Sequence, residues 1–248
     1  KARKFITGFS GSAGTAVITK TEARLWTDGR YFIQAAAQLE GTTIELMKMG
    51  EPGVPEMNAY IEEVLKEGET LGFDGRVVSV GEGEGYAAIA VKKNAKVNYQ
   101  VDLIDEIWED RPVLSEEPAF NLDVKYAGET VASKLARIRE EMKEAGTNVH
   151  IVSTIDDICW TLNIRGNDID FFPLVLSYGI ITMDSFELYI DERKLDDKLK
   201  AKLAKDGVNL HPYNDIYEDV KKFGSDVVAM IDPGKLNYAL FNNIPENV

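Results

Sequence analysis

The stretch FITGFSGSAGTAVITKTEARLWTDGRYFIQAAAQLEG, residues 5–41, carries the densest structural signals in the chain. Glycines at positions 8, 11 and 14 punctuate a run of small residues, which is typical of a backbone that turns tightly or approaches another backbone closely. Residues 15–19 and 23–27 are rich in strand-forming side chains and are separated by three polar residues. They therefore predict a hairpin.

A strand-to-helix corner follows at Asp28-Gly29-Arg30. Apolar residues recur at helical spacing after it, and Asp28 is placed to cap the helix. This puts Arg30 in the first turn, where a cation meets the positive end of the helix dipole. Two interpretations stay open at this stage. Arg30 pairs with Asp28 or covers the Trp26 ring, or its planar fork of donors clamps a carboxylate or peptide carbonyl of a ligand.

Composition narrows the classes of function. The chain has 248 residues, 44% of them hydrophobic, which is enough for a substantial core and favours two domains over one. Its 28 basic and 42 acidic side chains give a net charge of −14, which argues against nucleic acid and anionic membranes as partners, because both need clustered Lys and Arg. No apolar run reaches the roughly 18 residues of a membrane span. The single cysteine, Cys159, cannot form an internal disulfide, and the expected location is the cytoplasm.

The rest of the sequence predicts two α/β domains joined by a linker. Residues 109–122 contain two prolines and four acids without periodicity, so we place the linker there, between a first domain at 1–115 and a second at 122–248. In the second domain, residues 129–145 form the clearest predicted helix, and residues 174–182 and 186–191 predict another hairpin.

Two predictions concern the end of the first domain. Glycines at 81, 83 and 85 predict a loop before a helix that starts at residue 86, and acids stand where a nucleotide's phosphates would bind, so the pattern is not a nucleotide motif. Residues 99–103 are predicted to be the last regular element of this domain.

The two predicted hairpins align without gaps when Val17 is placed on Ile180. The same alignment pairs Leu25-Trp26 with Leu188-Tyr189, and Asp28-Gly29-Arg30 with Asp191-Glu192-Arg193. This self-similarity predicts one α/β module used twice, with Asp-x-Arg closing the same hairpin each time. A helix and a strand precede the second hairpin but only residues 1–9 precede the first, so typical element lengths predict roughly 30 further residues before Lys1 in the natural protein.

Metal-binding and nucleophilic side chains are sparse. Catalytic zinc commonly takes three protein ligands, whereas this sequence has two histidines, His150 in a predicted strand and His211 before a proline. Both are interpreted as structural. Cys159 has no histidine near it in sequence and is interpreted as a buried residue beside Trp160.

Two acid pairs are the remaining candidates for chemistry. Asp156/Asp157 and Asp168/Asp170 could hold magnesium or act as acid and base. The first pair falls in the first turn of a predicted helix, where the dipole alone favours acids. The sequence therefore shows no self-sufficient active site and predicts no catalytic or metal-binding residue.

Six stretches, taken together and in order, resemble the N-terminal region of Xaa-Pro aminopeptidase (aminopeptidase P) in its three-domain cytosolic form. They are GFSGSAGT at residues 8–15, WTDGRYF at 26–32, LMKMG at 46–50, IWEDRP at 107–112, WTLNIRGND at 160–168 and HPY at 211–213. They run from one end of the chain to the other, which makes the resemblance specific.

The resemblance implies an α/β fold of two tandem creatinase N-terminal-like domains of the ribonuclease-H-like type, each a mixed sheet flanked by helices. In the family, a third domain of the pita-bread fold follows and holds two divalent metal ions, with manganese the expected metal. That domain cleaves the bond before proline. Its ligands do not occur in residues 1–248, so this region is expected to lack a cofactor and to be inactive alone.

The family's peptide-binding arginine lies at an Asp-Gly-Arg-Tyr corner, which implies substrate binding by Arg30. The X-Pro bond carries no N–H, so such an enzyme recognises proline's shape and clamps peptide carbonyls or the carboxylate, a task that suits a preorganised guanidinium. Asp28, Trp160 and Arg165 are further candidates, for contacts between domains.

We therefore expect a non-catalytic region of a metalloaminopeptidase that shapes and caps the active site and supports a homodimer. The expected partners are short peptides with proline in second position and a second copy of the chain, with no nucleic acid and no membrane. One alternative is a peptide- or protein-binding module without catalysis. A nuclease-like site on a ribonuclease-H-like fold is a further alternative, against which the net charge argues.

Overall fold

The computed structural model describes all 248 residues and divides them into two compact units. The first unit comprises Lys1–Asp74 and Gly83–Arg111, and the second comprises Gly75–Glu82 and Pro112–Val248. The fold is α/β in both, with mixed sheets flanked by helices, as the sequence predicts.

The chain contains twelve strands and ten α-helices. The strands are β1 Thr15–Ile18, β2 Ala23–Thr27, β3 Ile44–Lys48, β4 Thr70–Gly72, β5 Lys96–Asn98, β6 Phe120–Asn121, β7 Val149–Val152, β8 Ile164–Arg165, β9 Ser177–Thr182, β10 Phe186–Ile190, β11 Val208–His211 and β12 Ala229–Met230. The helices are α1 Ala2–Thr7, α2 Phe32–Leu39, α3 Met57–Val64, α4 Val80–Lys92, α5 Val124–Ala127, α6 Val131–Glu144, α7 Ile155–Leu162, α8 Asp197–Lys205, α9 Ile216–Asp219 and α10 Tyr238–Phe241. No helix combines the length and the apolar character needed to cross a bilayer.

The first unit is built on the three-stranded sheet β1-β2-β3, in which β1 and β2 are antiparallel and β3 runs parallel to β2. Helix α2 covers one face, where Phe9, Leu25, Ala35 and Leu39 form a buried cluster. Trp26, the next residue of β2, is buried in a second cluster with Met47 and Tyr60. Its indole N–H donates to the carbonyl of Pro55 at 2.9 Å. Strands β4 and β5 form a separate parallel pair.

The second unit contains a five-stranded mixed sheet in the order β11-β10-β9-β7-β12. Each face carries a buried cluster. One is formed with α6, α7 and α8 and includes Leu135, Leu162 and Leu203. The other is formed with α9 and α10 and includes Ile216 and Leu240. Alternate strand residues supply the two faces, as in any strand that is buried on both sides.

The two hairpins share one register, which confirms the predicted gapless alignment. In β1 and β2, Ala16 lies opposite Leu25, and in β9 and β10, Gly179 lies opposite Leu188. A third strand continues each sheet in parallel, β3 beside β2 and β11 beside β10. The same hairpin-plus-parallel-strand frame therefore occurs in both units.

Three local predictions are wrong. Helix α4 begins at Val80, so Gly81, Gly83 and Gly85 lie within a helix and not in a loop. Residues 99–103 form no helix or strand, because the last strand of this region ends at Asn98. Asp28 does not cap α2, which begins at Phe32 with Tyr31 as its N-cap residue and no capping side chain.

Candidate functional site

Arg30 occupies the corner between β2 and α2, two residues ahead of the helix. Its expected place in the first helical turn is therefore wrong, and the helix dipole does not oppose it. Asp28 Oδ1 accepts the Arg30 backbone N–H at 3.1 Å, so the carboxylate turns back on its own chain instead of capping the helix.

The Arg30 side chain forms a two-pronged ion pair with Asp28. Nε donates to Oδ1 at 2.8 Å and Nη2 donates to Oδ2 at 2.8 Å. The structure therefore supports pairing with Asp28 over coverage of Trp26, and the guanidinium carbon lies 5.3 Å from the centre of the Tyr31 ring. Nη1 has no hydrogen-bond acceptor in the chain, and the side chain is 69% exposed. The fork is held from one edge and open at the other.

Electrostatics keep this pair ionised. The hydrogen bond from Arg30 lowers the pKa of Asp28 to about 2. The hydrogen bond and the charge of Asp28 in turn raise the pKa of Arg30 above its already high ordinary value. Asp28 therefore fixes the orientation of a permanent cation, and the free Nη1 edge can donate to a carbonyl or carboxylate of a ligand.

Tyr31 and Ser12 extend the corner on its loop side. Their hydroxyl oxygens lie 2.5 Å apart, and this hydrogen bond lowers the pKa of Tyr31. Tyr31 also packs its edge against the buried Phe9 ring at 5.9 Å between centroids. Sequence reasoning missed this pair, because the two residues are 19 positions apart and no periodic pattern connects them.

Hydrogen bonds from Arg3 fix the glycine-rich loop before β1, which contains Ser12. Arg3 donates to the carbonyl of Gly14 at 2.6 Å and to the carbonyl of Gly11. Gly14 has no space for a side chain, because an added Cβ would lie 2.8 Å from the carbonyl oxygen of Trp26. This is the close backbone approach that the glycine spacing indicates.

The second unit carries a matching corner at Asp191 and Arg193. Arg193 Nε and Nη2 donate to the Asp191 carboxylate at 3.0 and 2.6 Å, and Asp191 accepts the Arg193 backbone N–H at 3.0 Å. Here Glu116 also lies 2.6 Å from Nη1. Both edges of this guanidinium are therefore paired within the chain.

This second corner borders an open groove of about 440 Å³. The groove is lined by Val113, Leu114, Glu116, Arg193, Pro212 and Tyr213, among others. Arg193 enters it with its charge already matched by two carboxylates, whereas Arg30 has one. Of the two arginines, only Arg30 has an Nη1 group that is unpaired within the chain and can donate to a ligand.

Two family models, both described as creatinase/prolidase N-terminal domain, match the chain. One covers residues 1–111 and the other covers residues 110–248. The chain belongs to the creatinase/prolidase N-terminal domain family. Two tandem copies of this domain account for the repeated frame of the two units.

Relatives of this creatinase/prolidase N-terminal chain include peptidases from a plant and a nematode. The chain is 40% identical to aminopeptidase P2 of Arabidopsis thaliana over 244 residues, covering 97% of the chain and 34% of the plant protein. It is 36% identical to Xaa-Pro aminopeptidase app-1 of Caenorhabditis elegans, covering 98% of the chain and 41% of that protein. The chain thus spans well under half the length of these relatives.

A solved structure matches nearly the whole chain. It is the crystal structure of X-prolyl aminopeptidase from C. elegans, described as a cytosolic enzyme with a di-nuclear active site. The TM-score is 0.92 at 36% sequence identity, and the match covers 99% of this chain and 41% of that one. The predicted fold of two tandem creatinase N-terminal-like domains is confirmed by this match and by the two family models.

The other predicted residues of this creatinase/prolidase N-terminal chain lie in the second unit. Arg165 Nη1 donates to the carbonyls of Cys159 and Ile164 at 2.7 and 2.8 Å. Trp160 is partly exposed, and Lys134 Nζ lies 4.3 Å from its ring centre. The interdomain role proposed for Asp28, Trp160 and Arg165 stays a prediction.

The histidines, the cysteine and the acid pairs form no cluster. His150 Nδ1 lies 3.1 Å from the carbonyl oxygen of Met230, and His211 Nε2 lies 2.6 Å from Glu187. Cys159 is buried, as predicted, and burial raises the pKa of its thiol. Nowhere do three or more His, Cys, Asp or Glu side chains come together in a way that could hold a metal ion.

Proposed function

We propose that this chain is the non-catalytic N-terminal region of a metal-dependent Xaa-Pro aminopeptidase, in which Arg30 binds the peptide. The chain matches aminopeptidases P along nearly its whole length while covering 34 to 41% of theirs. The observation that carries the residue assignment is the half-open guanidinium, fixed by Asp28 on one edge and unpaired at Nη1. The parent's location is proposed to be the cytoplasm.

Arg30 suits the chemistry of this substrate. The bond before proline has no N–H, so an enzyme cannot recognise it through that donor and has to use ring shape and the peptide's carbonyl or carboxylate oxygens. A guanidinium already oriented by a carboxylate loses little side-chain entropy when it binds such an oxygen. Asp28 therefore acts as a positioning residue for Arg30, and its charge leaves the corner close to neutral and not repulsive to a peptide.

The residues of this chain do not fit a di-nuclear metal centre. Such a centre needs several carboxylates and histidines converging on two ions, and no three of these side chains converge here. We therefore derive no catalytic step from this region. In the proposal, two divalent ions, with manganese the expected metal, belong to the remainder of the full-length protein, and this region shapes and caps the active site and supports a homodimer.

The test uses the full-length enzyme, a short X-Pro peptide and added manganese. Arg30→Ala removes one charge-assisted hydrogen bond to the substrate, so kcat/KM should fall by about tenfold to 150-fold. Arg193→Ala is the matched control, because its guanidinium sits on the same hairpin corner with both edges paired. It should leave kcat/KM unchanged.

Two outcomes would overturn parts of the proposal. Equal effects of the two substitutions, or no effect of either, would remove Arg30 from substrate binding. A full-length protein that binds X-Pro peptides without cleaving them under any metal would instead favour the alternative of a peptide-binding module without catalysis.

A further inference from the structure

Residues 166–174, which we call the Phe171 loop, leave the body of the second unit and return to it as a narrow turn. Gly166 N–H donates to the carbonyl of Pro173 at 3.4 Å and Asp168 N–H donates to that of Leu174 at 3.1 Å. At the tip, Phe172 N–H donates to the carbonyl of Ile169 at 3.1 Å. The loop is therefore an ordered projection with its own backbone hydrogen bonds.

A buried ion pair fixes the base of the Phe171 loop. Asp168 Oδ2 accepts from Lys194 Nζ at 2.5 Å and from the backbone N–H of Leu176 at 2.6 Å. The Asp168 side chain is 0% exposed and that of Lys194 is 2% exposed. Charges withdrawn from water in this way need good geometry, so the loop leaves the domain at a defined angle.

The tip of the loop holds a phenylalanine in an unfavourable conformation. Phe171 has φ +69°, in the left-handed region that bulky residues rarely adopt, and its side chain is fully exposed to solvent. Phe172 is also largely exposed. In the first unit, Gly8 at the end of α1 adopts a similar φ of +74° at no steric cost, because it has no side chain.

No contact within the chain compensates for the backbone strain at Phe171. The Phe171 ring contacts no core cluster, and glycine or asparagine would adopt the same backbone with less strain. An exposed aromatic pair on a rigid support is typical of an anchor that fills a pocket on another surface. The strain thus indicates a role for the ring outside residues 1–248.

We propose that the tip of the Phe171 loop docks into an apolar pocket on the part of the full-length protein that follows residue 248. This inference rests on the proposed function, since it requires a longer parent. Relatives that match nearly the whole chain are covered over only 34 to 41% of their length, so more than half of a parent of that size is available as the occupant. A covalently attached occupant buries the ring in every molecule, which suits a permanently strained and rigid anchor better than an occasional partner does.

The first experiment introduces a photo-crosslinking residue, Phe171→p-benzoylphenylalanine, into the full-length protein. The matched control is Tyr126→p-benzoylphenylalanine, since Tyr126 is another well-exposed aromatic of the second unit. Irradiation should join position 171 to a peptide beyond residue 248 of the same molecule, at monomer mass and well above the control. Crosslinks to a second copy, to residues 1–248 alone, or no more than the control would overturn the proposal.

A second measurement uses the sign of the stability change. Phe171→Gly should raise the urea midpoint of the 248-residue chain, because it removes left-handed strain. It should lower the midpoint of the full-length protein, because it also removes the anchor. A rise in both would overturn docking. Hydrolysis of an X-Pro peptide by the full-length protein is scored separately, so failure of docking and failure of the proposed function remain distinguishable.

Discussion

The corners at Arg30 and Arg193 use one backbone plan for two purposes. Both follow the second strand of a hairpin, and the two hairpins have the same register. In both, an aspartate carboxylate accepts hydrogen bonds from Nε and Nη2 of the arginine two residues later. At Arg193 the third nitrogen is occupied by Glu116, whereas at Arg30 it is open. The repeat supplies the geometry, and one extra carboxylate decides whether the guanidinium is a structural junction or an available donor.

The residue that follows each arginine also differs between the two units, in its exposure and in its partner. Tyr31 lies at a solvent-accessible corner and its hydroxyl meets Ser12. Lys194, its counterpart, is buried against Asp168. In the second unit the residue after the arginine is thus buried and supports the base of the Phe171 loop. In the first unit the corresponding residue lies near the surface.

The largest effect should come from breaking the buried ion pair between Lys194 and Asp168 in the second unit. Lys194→Met leaves the Asp168 carboxylate buried without its cation, which should cost about 3–5 kcal/mol of unfolding free energy in the second unit. Urea unfolding followed by circular dichroism measures it. Tyr31→Phe, the change at the matching position of the first unit, removes only an exposed hydroxyl contact and should lower the urea midpoint far less than Lys194→Met does.

The double variant Asp168→Leu/Lys194→Met distinguishes a buried charge from lost packing. Replacing both partners with apolar side chains should recover most of the loss. If Lys194→Met alone costs less than about 1 kcal/mol, the pair is not the support that the structure indicates.

A smaller effect should come from the interior of the hairpin. Gly179 and Phe186 in the second unit stand where the first unit has Ala16 and Ala23, so a glycine makes room for a large ring. A Cβ on Gly179 would lie 2.6 Å from the buried Phe186 ring. Gly179→Ala should therefore destabilise by about 1–3 kcal/mol.

Two variants serve as controls for that overpacking. Ala16→Gly in the first unit changes the same position in the opposite direction and should cost only about 0.5–1 kcal/mol. Phe186→Leu combined with Gly179→Ala should cost less than the sum of the single changes. Strict additivity in urea unfolding would contradict the contact.

The sequence predicted the frame because the frame depends on periodicity. Apolar alternation in 15–27 and 174–191 and helical spacing in 129–145 determine local structure almost alone, and the gapless alignment of the two hairpins follows from them. The shared register of the two hairpins confirms that comparison.

The error at α4 had a signal that could have prevented it. Ser79 and Glu82 form a capping box, in which Ser79 Oγ accepts from the Glu82 N–H at 3.3 Å and Glu82 Oε2 accepts from the Ser79 N–H at 3.2 Å. The buried side chains of Val80, Tyr86 and Ala90 then outweigh the helix penalty of three glycines.

The site itself was only partly predictable. Arg30 and Asp28 are neighbours in sequence, so their pairing could be foreseen. The contact of Arg193 with Glu116 joins segments that lie far apart in the sequence, and that of Tyr31 with Ser12 depends on a loop tied down by Arg3. Such contacts come from tertiary packing, which periodicity does not encode, and they separate the open corner from the closed one.

The smallest effect, a change of one pKa, tests whether Asp28 and Arg30 are coupled as closely as the structure indicates. With Arg30 present the pKa of Asp28 is about 2, against an ordinary value of 3.8. A depressed pKa in the folded chain means that the ionised pair stabilises it fully above the ordinary value, and that this contribution is lost as the pH falls through about 2. Arg30→Ala should return the carboxyl to near its ordinary value, measured by NMR titration of carbon-13-labelled aspartate.

Arg193→Ala is the counterpart, because it should raise the pKa of Asp191, which Arg193 lowers, and leave Asp28 unchanged. An Asp28 that titrates near its ordinary pKa of 3.8 in the unsubstituted chain would mean that Arg30 swings freely. In that case the contrast between the corners would no longer depend on preorganisation, and the open Nη1 edge would lose its advantage for binding a peptide oxygen, since a mobile guanidinium pays the full side-chain entropy of capture.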